Sequence, residues 1–269
     1  MFVTVYMFYP VYGIVDFVVT LQSISSALSV NCNALRFGAN VAAVYNPLEY
    51  AARPFKLYLE LAQKGAASGK PKAFKKVIFL GMNPGPWGMA QTGVPFGEIS
   101  AVRDWLGIEA KVDKPDQEHP KRPVEGFACR KSEVSGRRLW GLFRERFGTP
   151  AEFFREHFVA NYCPLVFMTS SGANLTPDKL PPEESRPLFE VCDRALADTI
   201  KLLKPQWVIG IGGFAKKRID NVQRQFFTGS QAFEFTAAQI LHPSPASPKA
   251  NSGWDREAVK TLTELGVWV

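Results

Sequence analysis

The sequence predicts an α/β fold: a single domain built around a central four-stranded parallel sheet, with helices on both faces. Four apolar runs have the length of strands: KVIFLGM (76–82), HFVANYC (157–163), QWVIGIG (206–212) and FEFTAAQILH (233–242). Segments with the apolar spacing of helices lie between these runs. Strands of a parallel sheet are buried on both faces and joined by helices, so this alternation favours a parallel sheet covered on each side.

The helical pattern is clearest between the second and third runs. Apolar or small side chains recur there at intervals of three and four residues, at Leu188, Val191, Cys192, Ala195, Leu196, Thr199, Leu202 and Leu203. This spacing places them on one face of a helix. No repeat, low-complexity tract or linker divides residues 41–269, which we therefore expect to form one domain.

The segment before this domain, residues 1–40, is interpreted as an N-terminal extension. Its first 21 residues are apolar and long enough to cross a bilayer, but Pro10, Gly13 and Asp16 interrupt them and no basic flank precedes them. The start and the cleavage site of a secretory signal are also unclear. We expect a packed or poorly ordered extension, or an upstream start that is not native, rather than a membrane anchor.

Composition limits the partners and cofactors. The chain has 269 residues and a net charge of +7, which favours an anionic partner such as nucleic acid. Its four cysteines are scattered without a C-x-x-C pair, and it has only three histidines. Metal sites normally show closely spaced ligands, so we expect no metal and no other cofactor, and free thiols in a reducing compartment.

Unusual residues follow three of the four strands, at the edge where open parallel sheets bind ligands. The loop GMNPGPWGMAQTGVPFGE (81–98) contains no Lys, Arg, His or Cys, which excludes a lysine-based phosphate cradle and a thiol nucleophile within it. Asn83 in this loop cannot act as a general base, but it can hold a water. His242, after the fourth strand, can stabilise negative charge on a leaving group. Together they suit a dissociative reaction such as glycosidic cleavage.

Seven motifs occur in order between residue 44 and the C-terminal region: VYNPLEYA (44–51), the loop 81–98, HPKRPV (119–124), SEVSG (132–136), NYCPL (161–165), NLTP (174–177) and HPSPASPKANSGW (242–254). In type and order they resemble the motifs of the single-strand-selective monofunctional uracil-DNA glycosylase family. The resemblance implies the three-layer sandwich of that superfamily. It also implies hydrolysis of the N-glycosidic bond of flipped uracil in single- and double-stranded DNA, which leaves an abasic site for base excision repair.

The resemblance assigns a role to four side chains. Asn83 corresponds to the asparagine that positions the attacking water, and His242 to the histidine that stabilises charge on the departing base. Phe96 corresponds to the ring that stacks on the flipped base. Asn161 corresponds to the amide that accepts from uracil N3–H and donates to O4, a pattern that cytosine reverses.

The resemblance also indicates pocket and DNA contacts. Met82 and Gly85 correspond to pocket positions near the base, where the glycine leaves room for a water that 5-hydroxymethyluracil could replace, so this base is an expected second substrate. A wedge that enters the duplex during base flipping corresponds to Pro245, Ala246, Ser247, Pro248, Lys249 and Ala250. Trp87 and Ala246 depart from the phenylalanine and the basic residue expected in animal members. Neither departure touches the proposed chemistry.

Further expectations concern partners and location. DNA is the expected partner of a monomeric enzyme located inside the cell with DNA. The absence of a lysine from the pocket motifs agrees with an enzyme without lyase activity. Candidate phosphate contacts are Lys121, Arg122, Lys216, Lys217 and Arg218, with ordinary solvated surface as the alternative.

Two other functions remain open on the sequence alone. The first is a xanthine or hypoxanthine DNA glycosylase of the same fold, which would need base-edge contacts different from those of Asn161. The second is a catalytically silent nucleic-acid-binding module, which would bind with strong salt dependence and release no base.

Overall fold

A computed structural model describes residues 19–63, 75–229 and 233–268. The strands found in these ranges are β1 (Ala43–Tyr45), β2 (Val77–Gly81), β3 (His157–Asn161), β4 (Val166–Met168), β5 (Asn174–Leu175), β6 (Trp207–Ile211) and β7 (Thr236–Ile240). The α-helices are α1 (Leu21–Asn33), α2 (Pro47–Tyr50), α3 (Ala52–Gln63), α4 (Met89–Thr92), α5 (Val134–Phe147), α6 (Pro150–Glu156), α7 (Pro182–Leu203), α8 (Gly213–Phe226), α9 (Pro248–Asn251) and α10 (Trp254–Glu264).

The central sheet has the strand order β3-β2-β6-β7, and every neighbouring pair is parallel. This confirms the predicted four-stranded parallel sheet, and each strand lies within one of the four apolar runs. Val77 pairs with both His157 and Trp207, and Trp207 pairs with Thr236, so the four strands begin level with one another. Their carboxyl ends therefore meet at one edge of the sheet.

Two groups of helices flank this sheet. α8 contacts β6, β7 and α7, and α7 contacts α1. α6 contacts β3, α3 and α5, while α10 contacts α5 and β7. The apolar face predicted for α7 is buried at Leu188, Cys192, Leu196 and Leu203. The four cysteines are buried, free thiols, as expected.

A second, antiparallel sheet has the order β1-β4-β5 and was not predicted. Val44 pairs with Phe167, and Phe167 pairs with Leu175. Its strands have only two or three residues, too few to show an alternating apolar pattern. β4 follows the NYCPL motif directly, so this sheet supports the loop beyond β3.

Part of the segment treated as an extension forms α1. Thr20 and Ser23 form a reciprocal capping box at its start, and the side chains of Leu21, Ile24 and Cys32 are buried. The apolar residues 1–18 lie outside the described part of the chain. No helix in the described ranges combines the length and apolarity needed to cross a membrane. The boundary between extension and domain stays a prediction.

Candidate active site

Three of the assigned side chains lie at the carboxyl ends of strands of the central sheet. Asn83 is two residues beyond β2, Asn161 is the last residue of β3, and His242 is two residues beyond β7. Because the strands begin level, these positions lie at the same edge of the sheet, as predicted.

Gly81, the last residue of β2, brings two site residues together. It pairs with Asn161 in the sheet. A Cβ atom at this position would overlap the ring of Phe96 and would lie 2.6 Å from Asn161 Oδ1. The ring and the amide oxygen therefore both contact the space that a side chain at position 81 would fill. Sequence analysis assigned no role to Gly81, although its place at the end of an apolar run was a usable signal.

The amide of Asn83 is held by its nitrogen. Nδ2 donates to the carbonyl oxygen of Leu165 at 3.1 Å and to that of Pro84 at 3.4 Å. Within the described residues, no hydrogen bond engages Oδ1. The side chain therefore keeps a free acceptor, which can orient a water but cannot take its proton.

His242 is held in one neutral tautomer. Its Nδ1 accepts a hydrogen bond from the backbone N–H of Ser244 at 3.0 Å, which places the ring proton on Nε2. Burial lowers the pKa of His242 below its ordinary value, so the ring is neutral at neutral pH. A Cβ at Gly212 would lie 3.2 Å from His242 Cβ, and Gly212 has a φ of +91° that favours glycine. Gly212 therefore makes room for the His242 ring.

Phe96 adopts a backbone conformation that is rare for residues with a side chain. Its φ is +53°, and its side chain is buried. Such conformations cost about 1–3 kcal/mol and occur often at functional sites. The Phe96 ring lies 6.4 Å from the His242 ring, centroid to centroid, at an interplanar angle of 43°.

Asn161 faces a weak hydrogen-bond partner. Its Nδ2 donates to Met89 Sδ at 3.2 Å. Sulfur is a poor acceptor, so a ligand carbonyl could replace it. The backbone beyond Asn161 is fixed to the loop 81–98, because the N–H of Cys163 donates to the carbonyl of Met82 at 2.9 Å. A cavity of about 70 Å³ lies behind this amide, lined mainly by apolar side chains of α1, α3 and β3.

The two assigned pocket positions have different surroundings. Met82 is half-buried and continues the backbone pairing beyond β2. Gly85 packs against the carboxyl group of Glu133, which a Cβ at Gly85 would overlap. The structure thus gives Gly85 a neighbour that sequence analysis did not foresee.

The wedge segment forms a loop followed by the short helix α9. Pro245, Ala246, Pro248 and Lys249 are exposed, and Ser247 is half-buried. Ala250 is only 2% exposed, so its side chain anchors the segment instead of presenting a surface. The loop is bonded internally, because Asn251 Nδ2 donates to the carbonyl of Pro245 at 2.9 Å.

Arg138 on α5 braces the wedge from outside. Its guanidinium donates to the carbonyl of Pro243 at 2.9 Å and to Asn251 Oδ1 at 3.0 Å. Pro243 directly follows His242, so one side chain fixes both ends of the segment. Sequence analysis missed this residue, since an arginine on a helix gives no signal of what it contacts.

Two of the candidate phosphate contacts pair with carboxylates of the protein, and a third lies against an aromatic ring. Lys216 pairs with Asp220 at 2.7 Å, and Arg218 binds the buried carboxylate of Asp193, so both cations have internal partners. The Arg122 guanidinium lies 5.1 Å from the centroid of the Trp87 ring. Lys131 Nζ lies 4.1 Å from the same ring, so two cations lie beside the loop 81–98.

Among the described residues, no three His, Cys, Asp or Glu side chains form a group that could hold a metal.

Comparisons with known proteins show the family to which the chain is similar. The family model described as the uracil DNA glycosylase superfamily matches residues 69–263. The chain is 47% identical over 240 residues to the single-strand selective monofunctional uracil-DNA glycosylase of Rattus norvegicus, covering 89% of this chain and 82% of that protein. It is 48% identical over 233 residues to the protein of that name from Bos taurus, covering 87% and 81%. In fold it resembles wild-type Pedobacter heparinus SMUG2, with a TM-score of 0.59 at 15% identity, covering 91% and 97% of the two chains.

Proposed function

Because the chain belongs to the uracil DNA glycosylase superfamily, we propose that it is a monofunctional DNA glycosylase that hydrolyses the N-glycosidic bond of uracil in DNA. The product is an abasic site, the substrate of later steps of base excision repair. The observation that carries this proposal is the contact of Phe96 and Asn161 with the space above Gly81. A flat ring beside an amide suits a planar base, which can stack on the ring while its edge forms hydrogen bonds with the amide.

Two neutral groups support the chemistry. As the bond between the sugar C1′ and uracil N1 breaks, its electron pair remains on the base. The Nε2–H of His242 stabilises that charge by donating to uracil O2. A water held by Asn83 Oδ1 then adds to C1′ and releases its proton to solvent. A reaction in which bond breaking precedes water attack needs no carboxylate base at Asn83.

Base selection is proposed to reside in Asn161. Its carbonyl accepts from uracil N3–H and its NH₂ donates to O4, exchanging the weak contact with Met89 Sδ for a carbonyl oxygen. Cytosine presents the opposite pattern and would leave buried groups unpaired, which is heavily penalised. 5-Hydroxymethyluracil keeps the same edge and is the proposed second substrate.

The wedge is proposed to enter the DNA where the base leaves. The exposed residues from Pro245 to Lys249 form a loop braced at both ends by Arg138. A rigid plug favours the flipped state, because flipping itself costs a few kcal/mol. The net positive charge of the chain and the cations beside Trp87 suit a DNA substrate. We propose in addition that the enzyme acts inside the cell as a monomer.

The proposal is tested by base release from matched oligonucleotides that carry uracil, 5-hydroxymethyluracil, cytosine, xanthine or hypoxanthine, in single strands and opposite guanine. We expect release of uracil and 5-hydroxymethyluracil and none of cytosine. Asn83→Ala should abolish most of the release, while Asn31→Ala, at an exposed asparagine of α1, should leave it unchanged. Release of the purine bases alone would favour the purine glycosylase, and tight binding without any release would favour the silent module.

A further inference from the structure

The SEVSG segment, residues 132–136, contacts two parts of the loop 81–98. Ser132 Oγ donates to Glu98 Oε1 at 2.9 Å. A Cβ at Gly136 would overlap the carbonyl oxygen of Phe96, so the start of α5 lies directly against the residue with the strained backbone. The segment therefore joins the end of this loop to α5, and Glu133 within it reaches the earlier part of the loop, at Gly85 and Gly88.

The carboxyl group of Glu133 lies against the turn from Gly85 to Gly88. A Cβ at either glycine would overlap Glu133 Oε2, and one at Gly88 would lie 2.6 Å from Glu133 Cδ. The carboxyl group thus fills the space on the inner side of this turn. A side chain at either position would force the Glu133 carboxyl group to move.

Burial of the Glu133 carboxyl group at this position costs free energy. Its Oε2 is buried and has no hydrogen-bond partner in the part of the chain that the structure describes. A buried polar atom without a partner costs about 1–3 kcal/mol. The nearby carboxylate of Glu98 accepts from Ser100, Ala101 and Ser132 and does not relieve it. An apolar side chain would be more stable here, so the gain must lie in what the carboxyl group positions.

The turn that Glu133 supports adjoins both amides of the site. Gly85 is two residues after Asn83. Gly88 is the N-cap of α4, which begins with Met89, and Met89 Sδ accepts from Asn161. A shift of this turn would therefore move the water-holding amide and the partner of the base-reading amide together.

We propose that Glu133 is a positioning residue for base release, which holds the Gly85–Gly88 turn in the shape that presents Asn83 and Met89. The glycines at 85 and 88 leave the Glu133 carboxyl group its place, in addition to any room that Gly85 leaves for the base. This inference rests on the proposed function, because the reaction it supports is uracil release.

The experiment compares uracil release from a single-stranded oligonucleotide by wild type, Glu133→Ala, Glu133→Gln, Gly88→Ala and the double variant Gly88→Ala/Glu133→Ala. Glu133→Ala should lower kcat by about 10- to 100-fold, the usual effect of misplacing a catalytic group, with KM little changed and Tm equal or higher. Glu133→Gln keeps the shape and should retain most of kcat. The control is Glu145→Ala, at an exposed glutamate of α5, which should behave as wild type.

The double variant distinguishes a loss of kcat caused by a misplaced turn from one caused by general destabilisation of the protein. Gly88→Ala should lower kcat because its Cβ meets the Glu133 carboxyl group, and removing that group should restore part of the loss. An unchanged kcat in Glu133→Ala, a loss that follows a lower Tm, or a double variant no better than Gly88→Ala would overturn the proposal.

Hydrogen exchange gives a readout that does not need activity. The N–H groups of Gln91 and Thr92 donate to the carbonyl of Gly88 at 2.8 and 3.1 Å, so their exchange reports the shape of the turn. Both should exchange faster in Glu133→Ala than in wild type, and unchanged exchange would contradict the positioning role. Absence of uracil release by wild type would contradict the proposed function, while the exchange result would still decide the role of Glu133.

Discussion

The backbone N–H of Ser244 donates to Nδ1 of His242 at 3.0 Å, and this bond fixes the ring in the tautomer with its proton on Nε2. The bond exists only while the ring is neutral, because a protonated ring carries a hydrogen on Nδ1 as well. The chemistry proposed for His242 thus depends on its charge state.

The first prediction concerns pH. Burial lowers the pKa of His242, so the rate of uracil release should stay level at and above about pH 6.5, the ordinary histidine value, and fall only at more acidic pH. Protonation breaks the Ser244 bond, reorients the ring and removes the activity. The measurement is single-turnover release against pH. As a control, Asn83→Ala should be slower at every pH, with its rate falling in the same acidic range. A fall in the wild-type rate centred above the ordinary histidine pKa would contradict the role assigned to His242.

The second prediction concerns Gly81. Gly81→Ala should reduce uracil release by about 100-fold or more, because the new methyl group displaces the Phe96 ring and Asn161 Oδ1. Discrimination against cytosine should also weaken, measured as the ratio of the two release rates. The control is Gly141→Ala on α5, where a Cβ meets nothing within 4 Å. That substitution should leave release unchanged and stabilise the helix by about 0.5–1 kcal/mol. Wild-type rates in Gly81→Ala would show that the site does not use this contact.

The third prediction concerns the wedge. Arg138→Ala removes the hydrogen bonds to Pro243 and Asn251, which should loosen the loop. Release from duplex DNA should fall by about 10-fold or more, and release from single strands much less, because only the duplex needs a base to be forced out. Arg137→Ala, at the exposed neighbouring arginine, serves as the control. An equal loss on both substrates would argue against a role in base flipping.

The fourth prediction concerns stability. Burial and the charge of Glu98 raise the pKa of Glu133 from 4.5 to about 7. Between these values the folded protein keeps a proton that the unfolded chain has lost, so the free energy of unfolding decreases as pH rises through this window. Glu133→Gln cannot titrate, and its stability relative to wild type should rise by up to about 3 kcal/mol from acidic to neutral pH.

Urea unfolding of both proteins across this pH range measures that difference. Glu145→Gln, at an exposed position, should follow wild type at every pH. Stability curves of Glu133→Gln and wild type that run parallel would contradict a buried, protonated carboxyl group.

The central sheet could be predicted because its strands are buried on both faces and read as continuous apolar runs. β2, for example, is buried at all five residues. The site residues that follow the strands could be placed for the same reason. α1 gave no such signal, since its sequence LQSISSALSVNCN is rich in serine and asparagine, and α7 supplies the apolar surface that it covers. The short strands β1 and β4 depend on pairing between distant segments.

The parts of the site that escaped prediction depend on contacts between loops. Glu133 lies in a segment that is otherwise polar, so its burial under Gly85 and Gly88 is visible only in three dimensions. The sequence predicted a phosphate contact at Arg218 because two lysines precede it, but Arg218 binds Asp193 inside the fold. Charge along a sequence does not show which side chains are already paired.

The roles of Asn83 and His242 are tested most directly by single-turnover release of uracil from a single-stranded oligonucleotide by wild type, Asn83→Ala and His242→Ala, without added metal. We expect release by wild type, a loss of about 100-fold or more in each variant, and unchanged binding of an oligonucleotide without uracil. Uracil release that survives both substitutions would contradict the roles of Asn83 and His242, and no release by wild type would contradict the proposed activity itself.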